Sequence, residues 1–111
     1  MKKFLVLYEA PLTSFEQAMK APPEQQKAGM DAWMAWAGKA SKALVDMGAP
    51  LGPSLKVTPA GISPTRNTLG GYSIMQGESK EQVAELLKGH PHFMMKDGFI
   101  EVVELMPMPG A

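Results

Sequence analysis

The chain has 111 residues, one domain's worth, and its 45% hydrophobic and 20% charged residues argue against disorder. Eleven Lys+Arg against eleven Asp+Glu leave no net charge, so the basic excess of a nucleic-acid-binding module is missing. The sequence holds no cysteine, which excludes disulfides, thiolate metal sites and cysteine nucleophiles and fits a cytoplasmic setting.

The longest apolar run, Phe4–Tyr8, falls far short of the about 20 residues a membrane span needs, so no membrane partner is expected. Met1-Lys2-Lys3 ahead of it resembles a signal-peptide start, but Glu9 and Pro11 follow with no small-residue cleavage site, and a signal peptide is not expected. The run reads as a strand over Lys3–Glu9, apolar on both faces and hence central in its sheet. Thr13–Lys20 reads as a short helix capped by Thr13 or Ser14, with Phe15 and Met19 on one face.

A long helix is predicted over Glu24–Met47. Pro23 and Glu24 suit its start, Trp33, Trp36/Ala37, Ala40, Leu44 and Met47 recur at steps of three and four, and Gly48 and Pro50 end it. Leu55–Thr58 reads as a short edge strand between Pro53 and Pro59, and residues 59–68 as a loop. Gly71–Gly77 alternates as a strand. Ser79 and Gln82 form a capping box for a second helix, Ser79–Lys88, with Val83, Leu86 and Leu87 as its buried stripe. Phe99–Met106 is the last strand, and a loose tail is expected out to Ala111.

Strand, helix, strand, strand, helix, strand with right-handed crossovers gives an α+β, ferredoxin-like βαββαβ sandwich. Its four-stranded, mainly antiparallel sheet carries both helices on one face, with the first and third strands central. The other face should then be polar, yet the first and last strands place apolar groups on both sides. An uncovered apolar face exceeds what soluble monomers usually show, so a homodimer is expected, a second copy covering that face.

Several segments resemble the YCII-related (DGPF-like) domain family. They are Lys3-Phe4-Leu5-Val6-Leu7-Tyr8, the Trp33-x-x-Trp36 helix running to Met47-Gly48-Ala49-Pro50-Leu51, Gly70-Gly71-Tyr72-Ser73-Ile74-Met75, and Gly89-His90-Pro91-His92 with Ile100-Glu101-Val102-Val103-Glu104. The resemblance covers nearly the whole chain and implies a dimeric α+β barrel. Some family members carry a histidine in the first long helix acting with an aspartate. Here that helix offers only Trp33 and Trp36, and Ser63-Pro64-Thr65-Arg66-Asn67 stands where an Asp-Gly-Pro-Phe signature would be, so the resemblance hands over no catalytic residue.

The residues themselves offer a few candidates. His90 and His92, the only histidines, flank Pro91 just past a helix end, where the dipole favours the imidazolium form. They are candidate catalytic groups. The blander reading has His90 capping the helix and His92 packed in a loop. Two ligands make no metal site, and no cofactor is expected. Asp31, beside the tryptophan stripe, is a third catalytic candidate or else a solvated carboxylate. Trp33 and Trp36 are candidates to wall a ligand pocket or else core. Three residues correspond to about 300° of helical turn, from which the two rings are expected to point in different directions. Tyr72 is a candidate ligand-binding or core residue. Arg66, the sole arginine, is a candidate anion grip or a solvated loop charge. No G-x-S-x-G elbow and no phosphate loop is present. Two functions stay open: a homodimer that binds or transforms a small apolar or aromatic molecule between sheet and long helix, lined by Trp33, Tyr72 and His90 or His92, or a non-catalytic dimeric regulatory or accessory module.

Overall fold

The computed structural model describes residues 1–109; the expected tail at Gly110 and Ala111 lies outside them. In chain order the elements are β1 (Lys2–Glu9), α1 (Leu12–Met19), α2 (Pro23–Lys39), β2 (Leu44–Pro50), β3 (Ser54–Thr58), β4 (Gly61–Thr65), β5 (Leu69–Gly77), α3 (Lys80–Leu87), a 3-10 turn (Pro91–Met94) and β6 (Phe99–Glu104). The main sheet runs β2-β5-β1-β6, antiparallel throughout, with β1 central as its apolar run requires and β5 beside it as the order of elements predicts. This is the ferredoxin-like order. No helix among the described residues is long and apolar enough to cross a membrane.

The long helix is shorter than the sequence pattern predicts. It stops at Lys39, and Leu44–Met47, expected as its last turn, belongs with Gly48–Pro50 to the edge strand β2. The spacing of Ala40, Leu44 and Met47 satisfies a helix stripe, but ladder bonds to the central strand β5 outweigh that local preference. The Gln76 amide and side chain, donating to the carbonyls of Ala43 and Lys42, mark where the chain turns into the sheet. Gly48 sits at a register shift in β2 with φ +78°, and a Cβ there would collide with the Tyr72 carbonyl, so this bulge demands glycine.

Two further expectations are corrected. Leu55–Thr58 is not an edge of the main sheet: it pairs with Gly61–Thr65, expected as loop, in a separate two-stranded hairpin. Pro64 is tolerated there because it lies at a free edge. Neither Thr13 nor Ser14 caps α1. Pro11 stands at its N-cap, and buried Ser14 instead donates to the Lys96 carbonyl at 2.6 Å, tying α1 to the segment before β6. At α3 the expected Ser79 cap forms, Ser79 Oγ accepting from the Gln82 amide at 3.1 Å, while Gln82 Oε1 accepts from the amide of Glu78, one residue before the N-cap, at 2.8 Å. β6 ends at Glu104, two residues before the expected Met106.

One sheet face is covered. Phe4, Val6, Tyr8 and Met75 pack with Trp36, Ala40, Val83 and Leu87, and Ile100 and Val102 lie against them. The expectation that β1 does not alternate holds for residue type but not for burial: Phe4, Val6 and Tyr8 are buried, while Leu5 and Leu7 are half-buried on the opposite face. That open face continues through Tyr72, Ile74 and Val103.

Candidate functional site

Where β1 meets the segment after α3, five rings converge. Tyr8 is at the centre, its ring 4.6 Å from Trp33, 5.0 Å from His90 and 5.6 Å from His92, centroid to centroid. The His90 ring lies 4.3 Å from both Trp33 and Trp36, at interplanar angles of 83° and 63°. Both tryptophans therefore flank one imidazole. The expected divergence does not occur because 300° one way round a helix is 60° the other, the ordinary relation of i and i+3 neighbours.

Hydrogen bonds fix each ring. Pro91 opens the 3-10 turn, which brings the His92 amide onto His90 Nδ1 at 2.9 Å. An Nδ1 that accepts leaves the proton on Nε2, and among the described residues no oxygen or nitrogen takes it: His90 Nε2 is buried without a hydrogen-bond partner there. His90 is 1% exposed, and burial, with the nearby His92 second, pulls its pKa from 6.5 to about 4. The helix dipole argument, which favours imidazolium, loses to desolvation. His90 is neutral at pH 7.

His92 Nε2 donates to the Glu9 carbonyl at 2.7 Å. Gly98 makes room for that ring, since a Cβ on it would stand 3.2 Å from His92 Nε2. Tyr8 donates its hydroxyl to Ser73 Oγ at 2.9 Å, and Ser73 in turn donates to the Met47 carbonyl at 2.8 Å. Burial pushes the Tyr8 phenol up despite that bond. Trp36 Nε1 donates to the Leu86 carbonyl at 3.1 Å, fastening α2 to α3.

The space between the sheet and α2, expected as a pocket, is filled by these rings. The open volume lies beside them. A groove of about 360 Å³ runs between α2 and α3, lined by Ala32, Trp36, Ala40 and Leu86, with Lys39 and Lys88 in its walls. A smaller one of about 270 Å³ lies between α3 and β6, against Leu87, Phe93, Ile100 and Val102.

Of the residues singled out from sequence, His90, His92, Trp33 and Trp36 come together. Asp31 does not join them; it is exposed on α2. Tyr72 lies in β5 one residue from Ser73, hence on the opposite sheet face. Arg66 is exposed between β4 and β5. Sequence reasoning missed Tyr8 and Ser73. A serine at an inward position of a central strand, needing a buried partner, was the available signal.

A second polar group lies on the open face. Glu9 is 6% exposed; its Oε1 accepts from the Thr68 hydroxyl at 2.7 Å, and its Oε2 is buried without a partner. Glu101 faces it diagonally across β1 and β6, and its pKa is raised, first because protonated Glu101 can donate a hydrogen bond to the Glu9 carboxylate and second because the two negative charges repel. Among the described residues no three His, Cys, Asp or Glu side chains are placed to hold a metal.

No family profile and no curated protein matches the chain. Among solved structures, it is similar to the 5-chloro-2-hydroxyhydroquinone dehydrochlorinase of Burkholderia phenoliruptrix, solved in complex with 2,5-dihydroxybenzoquinone. Identity is 16%, 91% of each chain is covered and the TM-score is 0.46.

Proposed function

We propose that this chain, a YCII-related protein of the cytoplasm by its sequence resemblance and lack of cysteine, acts as a homodimer that binds a small apolar or aromatic molecule. The observation that carries the binding reading is the groove between α2 and α3. Its size falls in the small-molecule range, an indole forms part of its lining, and two lysines add positive charge to an otherwise apolar wall. The dimer reading is supported by the open sheet face, where Leu5, Leu7, Ile74 and Val103 meet no layer of the same chain. A non-catalytic regulatory or accessory dimer is the second reading. What favours it is His90, enclosed by three aromatic rings and held far below its usual pKa, a poor general base near neutrality.

The test is a titration of the 15N-labelled protein with small aromatic acids and cyclic ketones. Saturable shifts confined to Trp36, Ala40 and Leu86 support the groove. Unchanged spectra across a broad set would remove the binding reading and leave the accessory one.

A further inference from the structure

The β3–β4 hairpin is amphipathic with no lapse. Leu55 opposes Pro64 and Val57 opposes Ile62, so four apolar residues share one face, while Ser54, Lys56, Thr58, Gly61, Ser63 and Thr65 share the other. Alternation of that kind belongs to a ribbon with one side covered. Here the apolar side is bare: Leu55 is 66%, Val57 72% and Ile62 69% exposed. A lone two-stranded hairpin is marginal in water. This one is braced at its root, where Ser54 Oγ donates to the Thr65 carbonyl at 3.2 Å, Asn67 Nδ2 donates to Ser54 Oγ at 3.3 Å and Asn67 Oδ1 accepts from the Leu69 amide at 2.9 Å.

We propose that this hairpin is a dimerisation arm, whose Leu55, Val57 and Ile62 face lies against a second copy of the chain. The inference rests on the homodimer reading above and specifies its contact surface.

Two observations favour a second copy over an unrelated partner. The arm prolongs β2 and β5, strands of the same sheet whose open face the dimer is proposed to cover, and the Leu51 amide still donates to the Gly70 carbonyl where the arm leaves that sheet, so a copy seated on the sheet lies next to the arm. Area points the same way. Strand spacing and rise give the open face a flat footprint of about 450 Å², a lower bound on its accessible area, where each partner in a standard interface contributes about 800 Å² of accessible surface. The arm's apolar side adds about a third to that footprint. The protomer's shape fits: it measures 49 × 45 × 19 Å, with a radius of gyration of 15.7 Å, against about 13 Å for a compact chain of this length. Such a slab with a projecting arm is poorly closed on its own.

The absence of native cysteine makes the experiment clean. Lys56→Cys, on the polar side of the arm, carries a nitroxide label and is mixed with 15N-labelled, unsubstituted protein, so that broadening in the 15N spectrum reports only contacts between copies. In parallel, sedimentation equilibrium measures the dimer constant of the unsubstituted chain, of Val57→Lys and of Leu55→Ser, each checked for an intact sheet by its 15N spectrum. The expected result is a dimer, intermolecular broadening of a localised set of resonances, and a weakening of on the order of tenfold for the arm variants. A dimer with no broadening, and with constants unchanged in the arm variants, overturns the arm while leaving the dimer. A monomer at every concentration overturns the dimer reading and the arm with it.

Discussion

On one face of the sheet Phe4, Val6 and Met75 are fully buried, Tyr8 is paired to Ser73 and Ser73 to Met47, and His90 Nε2 is enclosed by aromatic rings with no partner among the described residues. On the other, carried by the same strands, Leu5, Leu7, Ile74 and Val103 are half-buried or exposed, and a Glu9 oxygen is buried with no partner. The residue types on the two faces are nearly alike. What separates them is what lies above: helices and five interlocked rings on one side, and on the other, among the described residues, cover that reaches Glu9 but leaves Leu5, Leu7, Ile74 and Val103 half-buried or exposed. Hydrophobic pattern reports that a surface needs covering and is silent on who covers it.

The contrast is tested first where it is strongest. Trp36→Ala removes a buried indole that touches His90 and donates to Leu86, and should cost about 3–5 kcal/mol in urea unfolding. A cost below about 1 kcal/mol would mean that the covered face is no more committed than the open one.

The next effect is set by pH. Unfolded, the His90 imidazole takes a proton near 6.5; folded, it resists until about 4. The unfolded state thus binds more protons in that window, so stability is complete above about pH 6.5 and declines as pH falls towards 4, by up to about 3 kcal/mol. Glu101 acts with the opposite sign: its raised pKa makes the folded form bind a proton more readily, which favours folding as pH falls. Measured in a Glu101→Gln background, His90→Phe should flatten the acid limb of the stability curve. An unchanged limb would show that His90 charges freely in the folded state.

On the open face, Leu7→Lys should leave urea unfolding of the protomer nearly unchanged and weaken self-association on the order of tenfold, read by sedimentation. Smallest of the four, Tyr8→Phe removes one buried hydrogen bond while Ser73 keeps its bond to Met47, and should cost about 1 kcal/mol. If Leu7→Lys proves the more destabilising to the protomer itself, the open face is part of the core.

Much of this architecture was legible beforehand. The central position of β1 followed from its apolar run, that of β5 from the order of elements, and the Ser79–Gln82 cap from its spacing. The convergence of His90 and His92 with the tryptophans was harder to read. It depends on Pro91 starting a 3-10 turn and on Gly98 yielding space, neither of which has a periodic signature. Leu44–Met47 reads as helix because its spacing suits one, and only the unfilled edge of β5 makes it a strand. Tyr72, Arg66 and Asp31 were separated from the histidines by facts of placement: one on the wrong side of a strand, one beyond the arm, one turned to water.

Glu9 belongs to both sides at once. Its carbonyl holds the His92 ring, while its carboxylate faces Glu101 and takes the Thr68 hydroxyl. The imidazole proton shared with that carbonyl is therefore a built-in probe: its chemical shift and exchange rate register, through a single residue, what becomes of the carboxylate on the far side.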